Sequence, residues 1–92
     1  MILDPEELQQ IEEFGGLFFS SDEIATIMGV DRFDLETALQ DERHAGFQAY
    51  QRGKLRAKAE LRKSILTLAK QGSGPAQTLA LRLLDDLEAR EL

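Results

Sequence analysis

The 92 residues of this chain suffice for one small domain, and 42% apolar with 30% charged residues marks a globular rather than a disordered polypeptide. There is no cysteine, which excludes a disulfide framework and any thiolate nucleophile or metal ligand. A net charge of −6 argues against loose binding of nucleic acid over the whole surface, and no apolar run is long enough to span a membrane.

The first helix is announced by Asp4-Pro5-Glu6-Glu7, with Asp4 as N-cap, Pro5 at the first helical position and acids in the first turn. Leu8, Ile11 and Phe14 recur at helical spacing, and Gly15-Gly16 is read as the end of the run. Leu17, Phe18 and Phe19 then form a short apolar connector expected to pack in the core. The N-terminal stretch MILDPEELQQIEEF has neither the basic start nor the apolar run of a signal peptide, so a cytoplasmic location is expected.

Ser20 and Glu23 have the spacing of a capping box, and SDEIATIMGVDRFDLETALQ from Ser21 reads as two short helices joined by a tight turn. Ala25 is small enough for the second helix to cross close above it. Gly29 suits a left-handed turn residue, and Val30, Leu35 and Ala38 are expected to face inward. This pattern predicts a helix-turn-helix over residues 1–44 together with the first helix. Asp31 caps its second helix, whose outward positions are Asp31, Arg32, Phe33, Glu36, Thr37 and Gln40.

The longest helix is predicted from about Ala45 to Lys70. One apolar stripe runs through Phe47, Tyr50, Ala57, Leu61, Ile65 and Leu68, and a second through Leu55, Ala59, Leu66 and Ala69. Two stripes imply burial on two sides. Gln71-Gly72-Ser73-Gly74-Pro75 breaks the helix, with Gly72 as left-handed C-cap and Pro75 opening a last helix to about Glu91. That helix is expected to bury Ala76, Leu79, Ala80, Leu83 and Leu87, with Leu81 off the stripe. The short loop predicts an antiparallel hairpin over residues 45–92. The expected fold is therefore all-α: a helix-turn-helix bundle over residues 1–44, then a long helical hairpin for oligomerisation.

Charge is segregated along this plan. Residues 1–42 carry twelve acids and one base, residues 43–71 eight bases and one acid, and residues 72–92 four acids and two bases. Such asymmetry points to an electrostatic partner, either a polyanion or another copy of the chain.

No constellation for catalysis, cofactor or metal is visible. His44 is the only histidine and is read as a solvated or helix-start residue. The pairs Glu6-Glu7, Glu12-Glu13 and Asp85-Asp86 read as solvated helix faces, and Gly72-Ser73-Gly74 lacks the lysine of a phosphate-binding loop. For DNA, Arg32, Thr37 and Gln40 are the candidates for base edges, while Asp31, Asp34, Glu36 and Asp41 oppose phosphate contact. Arg52, Arg56 and Lys63 form a basic row on the long helix. It either tracks phosphates, pairs with the acidic half of a neighbouring subunit, or only solvates the helix. Leu55, Ala59, Leu66 and Leu81 are the candidates for an oligomer interface.

DEIATIMGVDRFDLETAL, followed by AYQRGKLRAKAELRKSILTLAKQGSGPAQTLALRLL, resembles the small terminase subunits of tailed bacteriophages. Tyr50, Gly53, Leu61, Ala69, Gly72 and Ala76 stand at that family's aromatic entry, its Y–x–x–G step and its Gly-broken hairpin. The resemblance implies a non-enzymatic DNA-packaging component in the host cytoplasm. Such a subunit forms a homo-oligomeric ring through the hairpin, engages double-stranded viral DNA and regulates the ATPase and nuclease of the terminase large subunit. Two other readings stay open: a dimeric helix-turn-helix transcriptional regulator, and an adaptor whose acidic half docks a basic protein.

Overall fold

The computed structural model describes residues 1–91 and is all-helical among them. Five helices follow one another: α1 (Pro5–Gly16), α2 (Ser21–Met28), α3 (Arg32–Gln40), α4 (Ala45–Lys70) and α5 (Gly74–Glu91). The contacts gather into two compact units, Met1–Lys58 and Ala59–Leu92. The division falls inside α4 rather than before it, because the first half of α4 packs on α1.

Local chemistry sets the helix ends. Asp4 and Glu7 exchange side-chain and backbone hydrogen bonds at the start of α1, at 2.7 and 3.1 Å, and Ser20 and Glu23 do the same for α2 at 3.2 and 3.0 Å. The Asp31 carboxylate accepts from the Asp34 amide at 2.9 Å and caps α3. His44 caps α4: its Nδ1 accepts from the Gly46 amide at 2.9 Å. That leaves the ring proton on Nε2, which donates to the Met1 carbonyl at 2.8 Å.

α4 ends in a Schellman motif. The Ser73 amide donates to the Leu68 carbonyl and the Gly72 amide to the Ala69 carbonyl, each at 3.1 Å, with Gly72 at φ +97°. α1 ends in the same way, through Phe19 to Phe14 at 3.2 Å and Phe18 to Gly15 at 3.0 Å. Here the left-handed residue is Phe18, at φ +63°. A side chain in that region costs on the order of 1 kcal/mol or more. The apolar contact that accompanies the motif is the edge-to-face pair Phe14–Phe19, with centroids 6.0 Å apart. Phe19 thus packs on the core, whereas Leu17 and Phe18 point into solvent, contrary to the expected burial of the whole connector. The turn itself throws them outward.

The core of the first unit consists of Ile11, Ile24, Ala25, Leu35, Leu39 and Ala49, ringed by Leu3, Leu8, Phe14, Phe19, Met28, Val30 and Tyr50. α1 and α4 cross with almost no side chain between them. A Cβ at Gly53 would overlap the Glu12 carbonyl oxygen, and one at Gly15 would lie 2.8 Å from that of Tyr50. α1 does end at Gly16, as expected, and Gly15 and Gly16 are in addition the residues on which α4 packs.

In the second unit Ala76 is buried, and Arg62, Ile65, Ala69, Ala80 and Leu83 are half-buried. The Gln77 side chain donates to the Ala69 carbonyl at 3.1 Å, joining the first turn of α5 to the last of α4. Leu79 and Leu87, expected inside, are exposed, as are Leu61 and Leu68 of the first predicted stripe. The small residues Ala69, Ala76 and Ala80 occupy the seam, and the leucines lie beside it.

Adding one methyl group at the α1–α4 crossing must push the two backbones apart. Gly53→Ala is expected to destabilise the chain by about 3 kcal/mol, the upper range for overpacking. Urea unfolding followed by circular dichroism checks this; a loss below about 0.5 kcal/mol, the size of a neutral surface change, would contradict the crossing.

Candidate nucleic-acid interface and association surface

The outward side of α3 presents Arg32, Phe33, Thr37 and Gln40, all exposed, among Asp31, Asp34 and Asp41. The guanidinium of Arg32 is turned to Asp22 on α2, at 2.9 Å. Gln40 donates to Glu36 at 3.4 Å. Thr37 lines an open groove of about 210 Å³ with Met1, Phe33, Asp34, Ala38, Asp41 and His44. This face offers hydrogen-bonding groups but an acidic potential, which repels phosphate.

Arg52 and Arg56 converge on one acid. The Glu12 carboxylate accepts from Arg52 Nε and stands 3.6 Å from Arg56 Nη1. The close glycine crossing puts Glu12 within reach of both arginines, which lie one turn apart on α4. Pairing with Glu12 partly neutralises two of the three basic positions in the row. Lys63 lies in the second unit, exposed, and lines a groove of about 590 Å³ with Glu60, Ser64, Thr67 and Leu68.

Of the interface candidates, Leu55, Ala59, Leu66 and Leu81 are all exposed, with Leu81 at 63% and Leu66 at 46%. Leu84 and Leu87 of α5 are exposed as well. Arg62 Nε, in the same unit, is enclosed without a hydrogen-bond partner among the described residues. Among the described residues no group of three or more His, Asp or Glu side chains could hold a metal, and no helix is long and apolar enough to cross a membrane.

Two residues do more in this region than their place in the sequence pattern indicates. Glu12 was legible only as part of an acidic pair, and its partners lie some forty positions away. Tyr50 does more than enter the helix: its hydroxyl donates to the Phe19 carbonyl at 2.8 Å, and Lys54 Nζ sits 4.6 Å from its ring centroid. Tyr50 and Gly53, one turn apart, thus anchor the α1–α2 connector and admit α1. Comparison with family models, with curated proteins and with solved structures gave no match.

Burial, with the Glu23 carboxylate adding to it, raises the Tyr50 phenol above its ordinary value. Folding therefore favours the protonated phenol. The stability it lends is complete below about pH 10 and is lost as pH rises through the folded-state value. Tyr50→Phe is expected to cost about 1 kcal/mol at neutral pH by removing the bond to Phe19, and to abolish this share of the alkaline loss. Urea titrations at neutral pH and at about pH 11 measure both; an unchanged alkaline slope in the variant would assign the loss to other groups.

Proposed function

We propose that this chain is a non-catalytic DNA-packaging subunit of the small-terminase type. In this reading α2 and α3 act as a helix-turn-helix, α4 and α5 as a hairpin through which copies assemble into a homo-oligomeric ring. The ring engages duplex DNA and regulates an ATP-driven large subunit. The observation that carries it is the exposed leucine surface of residues 59–91: Leu61, Leu66, Leu68, Leu79, Leu81, Leu84 and Leu87 are all open to solvent in the single chain. Fewer than about 40 residues rarely build a stable core without oligomerisation, a metal or disulfides. Each leucine covered contributes about 1.5–3 kcal/mol, so copies that cover one another gain what the single chain lacks. The orphaned Arg62 Nε fits the same picture, since a neighbouring copy can supply its acceptor. Weak DNA sites repeated around a ring gain effective concentration, which offsets the acidic character of α3.

A second reading is favoured by one observation. Arg32, Arg52 and Arg56 are each engaged by an acid of their own chain, which suits an adaptor whose acidic face binds a basic protein.

Light scattering of the purified chain is expected to give six or more subunits, and Leu66→Ser with Leu81→Ser to reduce it to monomers. A stable dimer would favour a transcriptional regulator, and a monomer would remove the assembly reading. Fluorescence titration with duplex DNA at about 20 mM salt, where screening is weak, is expected to show binding that Glu12→Gln tightens several-fold by freeing Arg52 and Arg56. No binding at that salt by either form leaves the adaptor reading.

A further inference from the structure

The first unit carries an apolar groove that its own core does not use. Phe18, Gln51, Lys54, Leu55 and Lys58 line an open space of about 500 Å³. Phe18 is 61% exposed and Leu55 60%, with Leu17 exposed beside Phe18. Phe18 occupies the left-handed position that Gly72 fills in the equivalent turn after α4. A phenylalanine there works against the fold and places an aromatic ring in solvent at the mouth of the groove. Lys54 and Lys58, one helical turn apart, give the rim a positive charge.

The complement to that groove lies in the same sequence. On α5, Leu81, Leu84 and Leu87 recur every third residue and are exposed, which puts them on one side of the helix. Asp85 and Glu88, also one turn apart, stand beside them with Asp86. We propose that Leu84–Glu88 on α5 of one copy docks in the Phe18–Leu55 groove of another. Leu84 and Leu87 cover the two apolar groove residues, and Asp85 and Glu88 face Lys54 and Lys58. This is a helix laid in an apolar groove with charges at the rim. It rests on the self-assembly reading and specifies its geometry. The two patches differ, so the contact is heterologous and propagates from copy to copy in one direction, which a two-fold dimer does not do.

Charge exchange tests it in the full chain. Lys54→Glu with Lys58→Glu places acids on both patches, and Asp85→Lys with Glu88→Lys places bases on both. Sedimentation velocity is expected to show each variant weakened in self-association by about tenfold or more, and an equimolar mixture restored to the size of the wild-type assembly. Phe18→Gly is expected to raise the melting temperature of the dissociated chain while weakening assembly. Wild-type-like assembly of both charge variants alone, or a mixture no larger than its components, overturns the contact and leaves the broader assembly reading standing. A monomeric wild-type chain overturns both. Charge effects on stability that do not change with dilution place the contact within one chain and overturn the proposal as well.

Discussion

The carbonyl of Glu12 and the α-carbon of Gly53 approach so closely that no side chain fits between them. Much of the first unit depends on that crossing. It lets α1 lie directly on α4, which brings the Glu12 carboxylate to Arg52 and Arg56 and leaves room for Tyr50 to reach the Phe19 carbonyl. Fixing Phe19 fixes the entry to α2, and Ile24, Ala25 and Leu35 then close the core against Ile11. The result is a unit whose apolar stripes are largely covered by its own residues. Backbone approach of this kind is rigid, because neither helix can move inward and each outward shift opens a void.

The second unit is built on the opposite plan. Its seam is made of alanines with Ile65 and Leu83, and only Ala76 is fully covered among the described residues. Small seam residues bring helices close but hide little area, and the larger leucines are left outside. Such a surface has a use when another molecule completes it. Self-assembly is the reading that also gives the segregated charge a role, since acidic and basic stretches of identical chains can meet one another. The packaging-subunit proposal follows from assembly together with the resemblance in residues 21–84. DNA contact is its more demanding part, because the arginines best placed for phosphate already face carboxylates.

Features set by neighbouring residues were legible in the sequence. The caps at Asp4, Ser20 and Asp31, the turn at Gly29, the extent of α4 and the Gly72 terminus are all decided within a few positions, and they stand as expected. What depends on distant partners was not legible. Gly15 and Gly16 close α1 as expected, but nothing near them says that α4 also lies on them. Nothing near Phe18 says that the Schellman turn takes it, rather than a glycine, through the left-handed region. Helical spacing alone places Leu79 and Leu87 in the core, and it cannot tell a face covered by the same chain from one left open. The basic row had the same limitation: spacing put Arg52 and Arg56 together, but only the folded crossing brings Glu12 to them.

The central claim is that the core of the first unit is complete in one chain, whereas the second unit becomes complete only between chains. Amide hydrogen exchange measured over a range of protein concentrations tests this most directly. The account predicts that amides of α1 to α3 are protected equally at all concentrations, while those of residues 59–70 and of α5 gain protection steeply as concentration rises. Protection in the second unit that is already full on dilution, or absent at every concentration, would contradict it.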